Sequence, residues 1–331
     1  MAKLSDVAKL ANVSTATVSR VLTNAENVTE KTRRKVLDAI EELNYHPNIL
    51  GRQLRKMATN TILVVVPDIT NPFFSKVLRG IEMLAMQNGY QVLLADTQNY
   101  IISETEYLNF LHYKQVEGII LLTTKSNQQL VKQLSEDSPV VLACEYMEEA
   151  QIPTVSIDNI SSARKITQHL IRLGHSRIAH ICGPMDIILS RDRLKGYQQA
   201  IGQNHLELDP ILIQEGDFSY ESGYNLMNKL LALENPPTAV FAANDLMAIG
   251  AIKSIKSHQL SVPQDIAVVG FDDIQMASIM EPAITTISQP AFEIGNKAME
   301  LLLGLMAKEQ IVKKQYILED QLVIRESCGS N

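Results

Sequence analysis

The chain has 331 residues, 46% of them hydrophobic and 20% charged, and carries a formal charge of −7 at neutral pH. At about 150 residues per domain that length fits two domains and a small appendage, and the composition excludes a core-poor disordered chain. No apolar run reaches the about 18 residues of a membrane-spanning helix, and the start MAKLSDVAKLANV lacks an apolar leader with a small-residue cleavage site. The chain therefore reads as cytoplasmic, with no membrane partner. Three scattered cysteines, Cys144, Cys182 and Cys328, read as reduced and structural. Residues 1–60 hold ten Lys and Arg against six acids, a net +4 that leaves −11 for the remainder. A basic head on an acidic body points to a polyanion that meets the head alone.

In chain order, the first predicted element is a short helix capped by Ser5, with Val7, Ala8 and Ala11 on one apolar face. Asn12-Val13-Ser14 supplies a turn, and Ser14 caps a second helix in which Val18, Val21 and Leu22 repeat the i, i+3, i+4 spacing. A third helix follows Thr29, with Val36, Leu37, Ile40 and Leu43 facing inward and Tyr45-His46-Pro47 ending it. Three helices joined in this way make a helix-turn-helix domain over residues 1–47. The next stretch, NILGRQLRKM, sets Leu50 and Leu54 on one side with Arg52, Arg55 and Lys56 around them. About ten residues form a marginal helix alone, so the linker over 48–60 is expected to fold only when a partner or DNA holds it.

From residue 61 short apolar runs alternate with amphipathic stretches. TILVVVPD, YQVLLAD, GIILLTT, PVVLACE and IPTVSID are interleaved with helices over 72–88, 103–114 and 127–136. After Asp158 the alternation restarts, with RIAHICGP, ILIQEGDF, TAVFAAND, IAVVGFDD and ITTISQP among helices over 160–173, 190–203, 220–233 and 244–257. Strands of this kind belong to parallel sheets covered on both faces, so the body is an α/β structure of two doubly wound parallel-sheet subdomains. Polar residues collect at the carboxyl ends of the strands, where such sheets bind ligands: Asp68, Asp96, Glu145, Asp217 and the pairs Asp158-Asn159, Asn244-Asp245 and Asp272-Asp273. Of these, Asp158, Asn159 and Asp245 read first as helix caps.

No catalytic motif survives inspection, so the chain reads as a non-enzyme without metal or cofactor. His169, His175, His180 and Cys182 lie close in sequence but straddle a helix end and a strand, a poor arrangement for metal ligation. Asp272 and Asp273 are neighbours at a strand end and point in different directions, which disfavours a catalytic dyad.

Taken together, Ser5-Asp6-Val7-Ala8, the run Val13-Ser14-x-x-Thr17-Val18-Ser19-Arg20-Val21-Leu22 and Asn44-Tyr45-x-Pro47-Asn48 resemble the head of the lactose-repressor (LacI) family. The resemblance implies a second helix lying in the major groove of an operator, with Thr15, Ala16 and Arg20 reading bases. It also implies phosphate contacts from Ser5, Ser14, Thr17, Ser19, Asn27 and Arg33. Residues 48–60 become a hinge helix that pairs with its twin in the minor groove, Leu54 wedging between bases beside Arg52. Gly51 weakens that helix by about 1 kcal/mol.

In the body, PDITNPFF, GHSRIAHICGP, RLKGY, GDFSYESGY, FAANDLMAIGA, VVGFDD and TTISQP are similar to the same family's effector domain, itself akin to periplasmic sugar-binding proteins. The resemblance implies a body over 61–331 whose chain crosses between subdomains near 159, 289 and 322. One subdomain then takes 61–159 plus 290–321, including a returning helix over 290–308, and the other takes 160–289 plus 322–331. It places an effector against Phe73, Phe74, Glu145, Arg193, Phe218, Asn244 and Asp272, with Asp68, Tyr146 and Asp192 as further candidates. One of the two adjacent phenylalanines is expected in the cleft, and an ion pair between subdomains is the other reading of Arg193. STATVSR, GDFSYESG and Gln289-Pro290-x-x-Glu293-Ile294-Gly295 look closest to the family's cytidine-responsive branch, which favours a nucleoside effector over a sugar.

The implied function is a regulator, a homodimer on a pseudo-palindromic operator, whose small effector alters hinge geometry and DNA affinity. Dimerisation is expected through the helices over 72–88 and 103–114. The competing readings are a small-molecule-binding protein whose DNA role is secondary and an enzyme on a related frame.

Overall fold

The computed structural model describes residues 2–22, 28–45, 59–98, 101–122, 128–147 and 151–330. The chain divides into two compact units, Met1–Thr59 and Asn60–Asn331. Most of the expected hinge, with Arg52 and Leu54, lies outside the described residues, as does Asn27.

In the first unit α1 spans Leu4–Leu10, α2 Thr15–Leu22 and α3 Glu30–Glu42. Val7, Ala8, Ala11, Val18, Val21, Val36 and Ala39 form its core. Three expectations are corrected here. Ser5 is an exposed residue inside α1, and the helix start is held instead by Asp6, whose carboxylate accepts the Lys3 N–H at 2.8 Å. A carboxylate reaching back from the third helical position meets both an orphan donor and the positive helix end, which a lone hydroxyl does less well. Leu37 is 50% exposed, and the inward position one turn after Val36 is Ala39. Finally, α3 ends at Glu42, with Leu43 as its cap and Asn44 next in the left-handed region at φ 43°, so the helix stops ahead of the Tyr45-His46-Pro47 segment expected to end it.

The second unit contains a six-stranded parallel sheet in the order β11-β5-β4-β3-β1-β2. Its strands are β1 (Thr61–Val66), β2 (Gln91–Asp96), β3 (Gly118–Leu121), β4 (Val140–Ala143), β5 (Thr154–Ile157) and β11 (Gln315–Leu318). Alternation along β1 sends Ile62, Val64 and Val66 into one apolar cluster and Leu63 and Val65 into another, because side chains on a strand point to opposite faces. Helices cover both faces, which is why the central strands are continuous apolar runs. The edge strands β2 and β11 alternate exposed with partly buried residues over most of their length.

A four-stranded parallel sheet follows, ordered β7-β6-β8-β9 and built from β6 (Ile178–Cys182), β7 (Ile213–Glu215), β8 (Ala239–Ala242) and β9 (Ala267–Val269). The run ITTISQP does not extend this sheet as a full strand. Its β10 (Thr286–Ser288) pairs antiparallel with β12 (Gln321–Val323), a two-stranded ribbon that sequence alternation did not reveal.

The helices of this unit are α4 (Pro72–Gln87), α5 (Ile101–His112), α6 (Gln128–Asp137), α7 (Asn159–Arg172), α8 (Ile188–Gln203), α9 (Tyr220–Leu231), α10 (Asp245–Ser257), α11 (Gln275–Ile279) and α12 (Ala291–Met306). Thus the chain leaves the larger sheet after β5, returns to it with α12 and β11, and ends on the ribbon beside the smaller one. The return is a close one. A Cβ on Gly295 of α12 would stand 2.0 Å from the Val77 carbonyl oxygen of α4, and one on Gly80 would stand 2.1 Å from that of Phe292. Only glycine lets these two helix backbones approach so far. Among the described residues, no helix is long and apolar enough to cross a membrane.

Candidate functional site

In the first unit, α2 is fixed by a local cap. Ser14 Oγ accepts the Thr17 N–H at 3.1 Å and lies 2.9 Å from Thr17 Oγ1, so both hydroxyls expected to meet phosphates already share a bond. The apolar side of α2 turns inward, leaving Thr15, Ala16 and Arg20 exposed and Thr17 and Ser19 partly so. Arg33, on α3, stands 3.9 Å from the Glu30 carboxylate. The face that presents Arg20 is therefore set by the burial of Val18 and Val21 on the other side.

In the second unit, a cavity of about 580 Å³ opens at the carboxyl ends of both parallel sheets. From the larger sheet come Asp68 after β1, Leu122 after β3 and Glu145 after β4, with Phe73 and Phe74 from the first turn of α4. The smaller sheet contributes Phe218 after β7, Asn244 after β8 and Asp272 after β9, with Arg193 from α8. All seven of the effector candidates named from the sequence line this one cavity. The expectation that only one phenylalanine would reach it is corrected: both do, their rings edge to face at 5.3 Å. Because α4 begins at the cavity and helical side chains lean towards the N-terminus, adjacent residues in its first turn reach the same space.

Arg193 is almost wholly buried. Its Nε donates to Asn159 Oδ1 at 2.9 Å, a second nitrogen donates to the Ala243 carbonyl, and its third lies 3.8 Å from Asp272 Oδ1. The guanidinium plane also rests 3.7 Å from the centre of the Phe271 ring. Both members of the Arg193–Asp272 pair belong to elements around the smaller sheet, so the reading of Arg193 as an ion pair between subdomains is not the arrangement found. Asn159, expected as a cap, instead positions Arg193, while Asp158 does cap α7 by accepting the Ser161 N–H at 3.0 Å. Asp245 likewise is no simple cap: it accepts from Ile274 N–H at 2.9 Å and Thr286 Oγ1 at 2.7 Å, tying α10 to the segment after β9 and to β10.

Asn244 is heavily used within the protein. Its Oδ1 caps α10 through Met247 N–H at 2.8 Å, and its Nδ2 donates to the Phe218 carbonyl at 2.9 Å. Asp272 sits at φ 107°, a strained backbone for a residue with a Cβ, and such strain collects at binding sites. Burial pushes its carboxyl up to about 6, although Arg193 and the hydrogen bond from Gln289 pull the other way. Burial and the charge of Asp272 likewise raise Asp245 well above the ordinary carboxylate value.

Tyr146 and Asp192 do not line this cavity. Tyr146 donates to Asp192 Oδ2 at 2.9 Å beside it, joining the loop after β4 to α8. Sequence reasoning missed Gln289, whose Nε2 donates to Asp272 Oδ1 at 2.7 Å from the crossing between β10 and α12. A polar residue ahead of proline at an expected crossing was its available signal.

The histidine and cysteine group also resolves into separate places. His180 is stacked in the core between Tyr197 and Phe241, and burial pushes its pKa down to about 4. His169 meets Cys328 instead, Nε2 to Sγ at 3.3 Å. The three cysteines are free and buried, and among the described residues no three His, Cys, Asp or Glu side chains gather to hold a metal.

The sequence profile of bacterial regulatory proteins of the lacI family matches residues 3–48, and that of the periplasmic binding protein-like domain matches residues 167–328. The chain is 40% identical to the HTH-type transcriptional repressor CytR of Escherichia coli (strain K12) over 327 residues, 98% of this chain and 96% of that one. A lac repressor dimer bound to operator and the anti-inducer ONPF superposes with a TM-score of 0.89 at 31% identity, covering 99% of both chains. A complex of the transcriptional regulator CelR with cellobiose gives a TM-score of 0.75 at 34% identity, over 99% of this chain and all of the other.

Proposed function

Because the chain belongs to the lacI family of bacterial regulatory proteins and is a ligand-responsive DNA-binding repressor, we propose that a nucleoside entering the cavity between the two parallel sheets controls it. The observation that carries this reading is the joining of aromatic rings with directional polar groups in one space. Phe73, Phe74 and Phe218 offer faces and edges to a flat base. Glu145 and Asp272 offer acceptors to hydroxyls and an exocyclic amine. Arg193 is positioned from behind by Asn159 and Phe271, so it holds Asp272 and the cavity wall in place before a ligand arrives. The likeness of the sequence to the cytidine-responsive branch supports the same class.

The regulator acts in the cytoplasm as a homodimer on a pseudo-palindromic operator, and it performs no catalysis. Thr15, Ala16 and Arg20 read bases, while Ser5, Ser14, Thr17, Ser19, Asn27 and Arg33 contact phosphates. Residues 48–60, with Arg52 and Leu54, fold as a hinge in the minor groove, and the effector alters operator affinity by favouring one arrangement of the two halves of the body. The domain limits of 1–47, 48–60 and 61–331 belong to the same proposal.

The test is a thermal-unfolding titration of the full chain against nucleosides, free bases, pentoses, hexoses and disaccharides. A ligand that binds only the folded state stabilises it by about 2.7 kcal/mol at about 100 times its dissociation constant. A rise confined to nucleosides supports the assignment. A sugar is the second reading, favoured by the cellobiose complex of the CelR regulator, and a rise confined to sugars would replace the first.

A further inference from the structure

Resting on the reading of this cavity as the effector site, we propose that it selects an uncharged, donor-rich ligand and excludes phosphorylated or otherwise anionic counterparts. The backbone alone would favour the opposite. Helices α4, α8, α9 and α10 all begin at the cavity, and the N-terminus of a helix carries about half a positive charge and unpaired N–H groups. The chain caps three of those ends with its own side chains, and the fourth, at α8, is fronted by the apolar Ile187 and Leu189. Asn71 Oδ1 accepts the Phe73 N–H at 3.0 Å, Ser219 Oγ accepts the Ser222 N–H at 3.0 Å, and Asn244 Oδ1 accepts the Met247 N–H at 2.8 Å.

Fixed charge then reverses the sign. Asp68, Glu145, Asp217, Glu221 and Asp272 line the cavity, and among its described lining residues Arg193 is the single cation. That cation is spent within the protein, on Asn159, Ala243, Asp272 and the face of Phe271. Lys76, on the outer side of α4, turns its ammonium to the Asp273 carbonyl at 3.0 Å and is not part of the lining. Asp217 is held in its charged form: burial acts to raise its pKa, but hydrogen bonds from Ser219 and Ser222 outweigh it and leave the value lowered. Among the described lining residues a phosphoryl group meets several carboxylates and no uncommitted guanidinium or ammonium, whereas ligand hydroxyls and amines find acceptors on both walls.

The experiment is calorimetric titration of the full chain with matched pairs: cytidine and cytidine monophosphate, adenosine and adenosine monophosphate, glucose and glucose 6-phosphate. The neutral member that binds should do so at least about a hundredfold more tightly than its phosphorylated partner. Neutralising Asp217 and Glu221 together (Asp217→Asn, Glu221→Gln) should narrow that gap, as should added salt. Equal or tighter binding of a phosphorylated member, whether nucleotide or sugar phosphate, overturns the proposal. Binding of glucose in place of the nucleosides, with its phosphate still excluded, overturns the nucleoside reading and leaves charge selection standing.

Discussion

The Tyr146 hydroxyl donates to Asp192 Oδ2 at 2.9 Å and thereby ties the loop after β4, on the larger sheet, to α8, which covers the smaller one. Burial raises the Asp192 pKa while this bond and nearby Lys195 and Arg191 lower it, so the bond favours the charged carboxylate. Under the proposed control by rearrangement of the two halves of the body, the bond favours the arrangement that joins them. Tyr146→Phe should weaken effector binding by about tenfold or more, the worth of one hydrogen bond to a charged, half-buried group. Calorimetry reads this directly, and unchanged affinity would show that the bond persists equally in both arrangements.

Asp272→Asn should leave operator binding intact and abolish the response to effector, because it removes a buried charge from the cavity of the second unit and leaves the sequence of the first unchanged. A gel-shift titration with and without effector separates the two effects.

The same substitution should change the pH dependence of stability. Folded Asp272 keeps its proton up to about 6 against an ordinary value of 3.8, so the folded state binds more protons in that window and loses stability as pH rises through it. His180, lowered from 6.5 to about 4, acts with the opposite sign and adds stability as pH rises between those values. Removing Asp272 should therefore steepen the gain in stability from pH 4 to 6 by up to about 3 kcal/mol, measured by urea unfolding across that range. A slope no steeper than that of the parent chain would contradict the raised carboxyl.

Arg20→Ala and Arg33→Ala should fail differently. Loss of Arg20, exposed on α2, should cost about 1–3 kcal/mol and relax specificity at one base pair. Loss of Arg33 should weaken all sequences alike and flatten the salt dependence by about one unit of slope. Competition binding on operator variants at several salt concentrations distinguishes them, and identical profiles would reject the division between base and phosphate contacts.

Gly295→Ala places a methyl group 2.0 Å from the Val77 carbonyl oxygen and must push α12 off α4. A loss of about 1–3 kcal/mol of stability is expected, and Gly80→Ala should do the same from the other side. Chemical denaturation checks both. Wild-type stability in either variant would mean that the helices separate without cost.

Much of this architecture was legible locally. The apolar period encodes the head helices and the alternating strands and helices of the body, and the crowding of carboxylates at strand ends marks the cavity. Leu37 misled because two neighbouring positions on a helix satisfy nearly the same period, and only packing against α1 and α2 decides which one turns inward. The strands β11 and β12 were missed because edge and ribbon strands are short and half exposed, which leaves a weak signal.

The sequence by itself determined what each segment forms and which residue types stand at its ends, because side-chain periodicity and capping act over a few residues. Only the tertiary structure decided what the polar groups do. Arg193 finds Asn159, Ala243 and Asp272 on three other segments, and Asp245 finds Ile274 and Thr286. Those partners lie some 30 to 80 residues away along the chain, and nothing in local spacing records them. Burial then raises Asp245 and Asp272 while hydrogen bonds lower Asp217, which is why the chemistry of the cavity belongs to the fold rather than to any one motif.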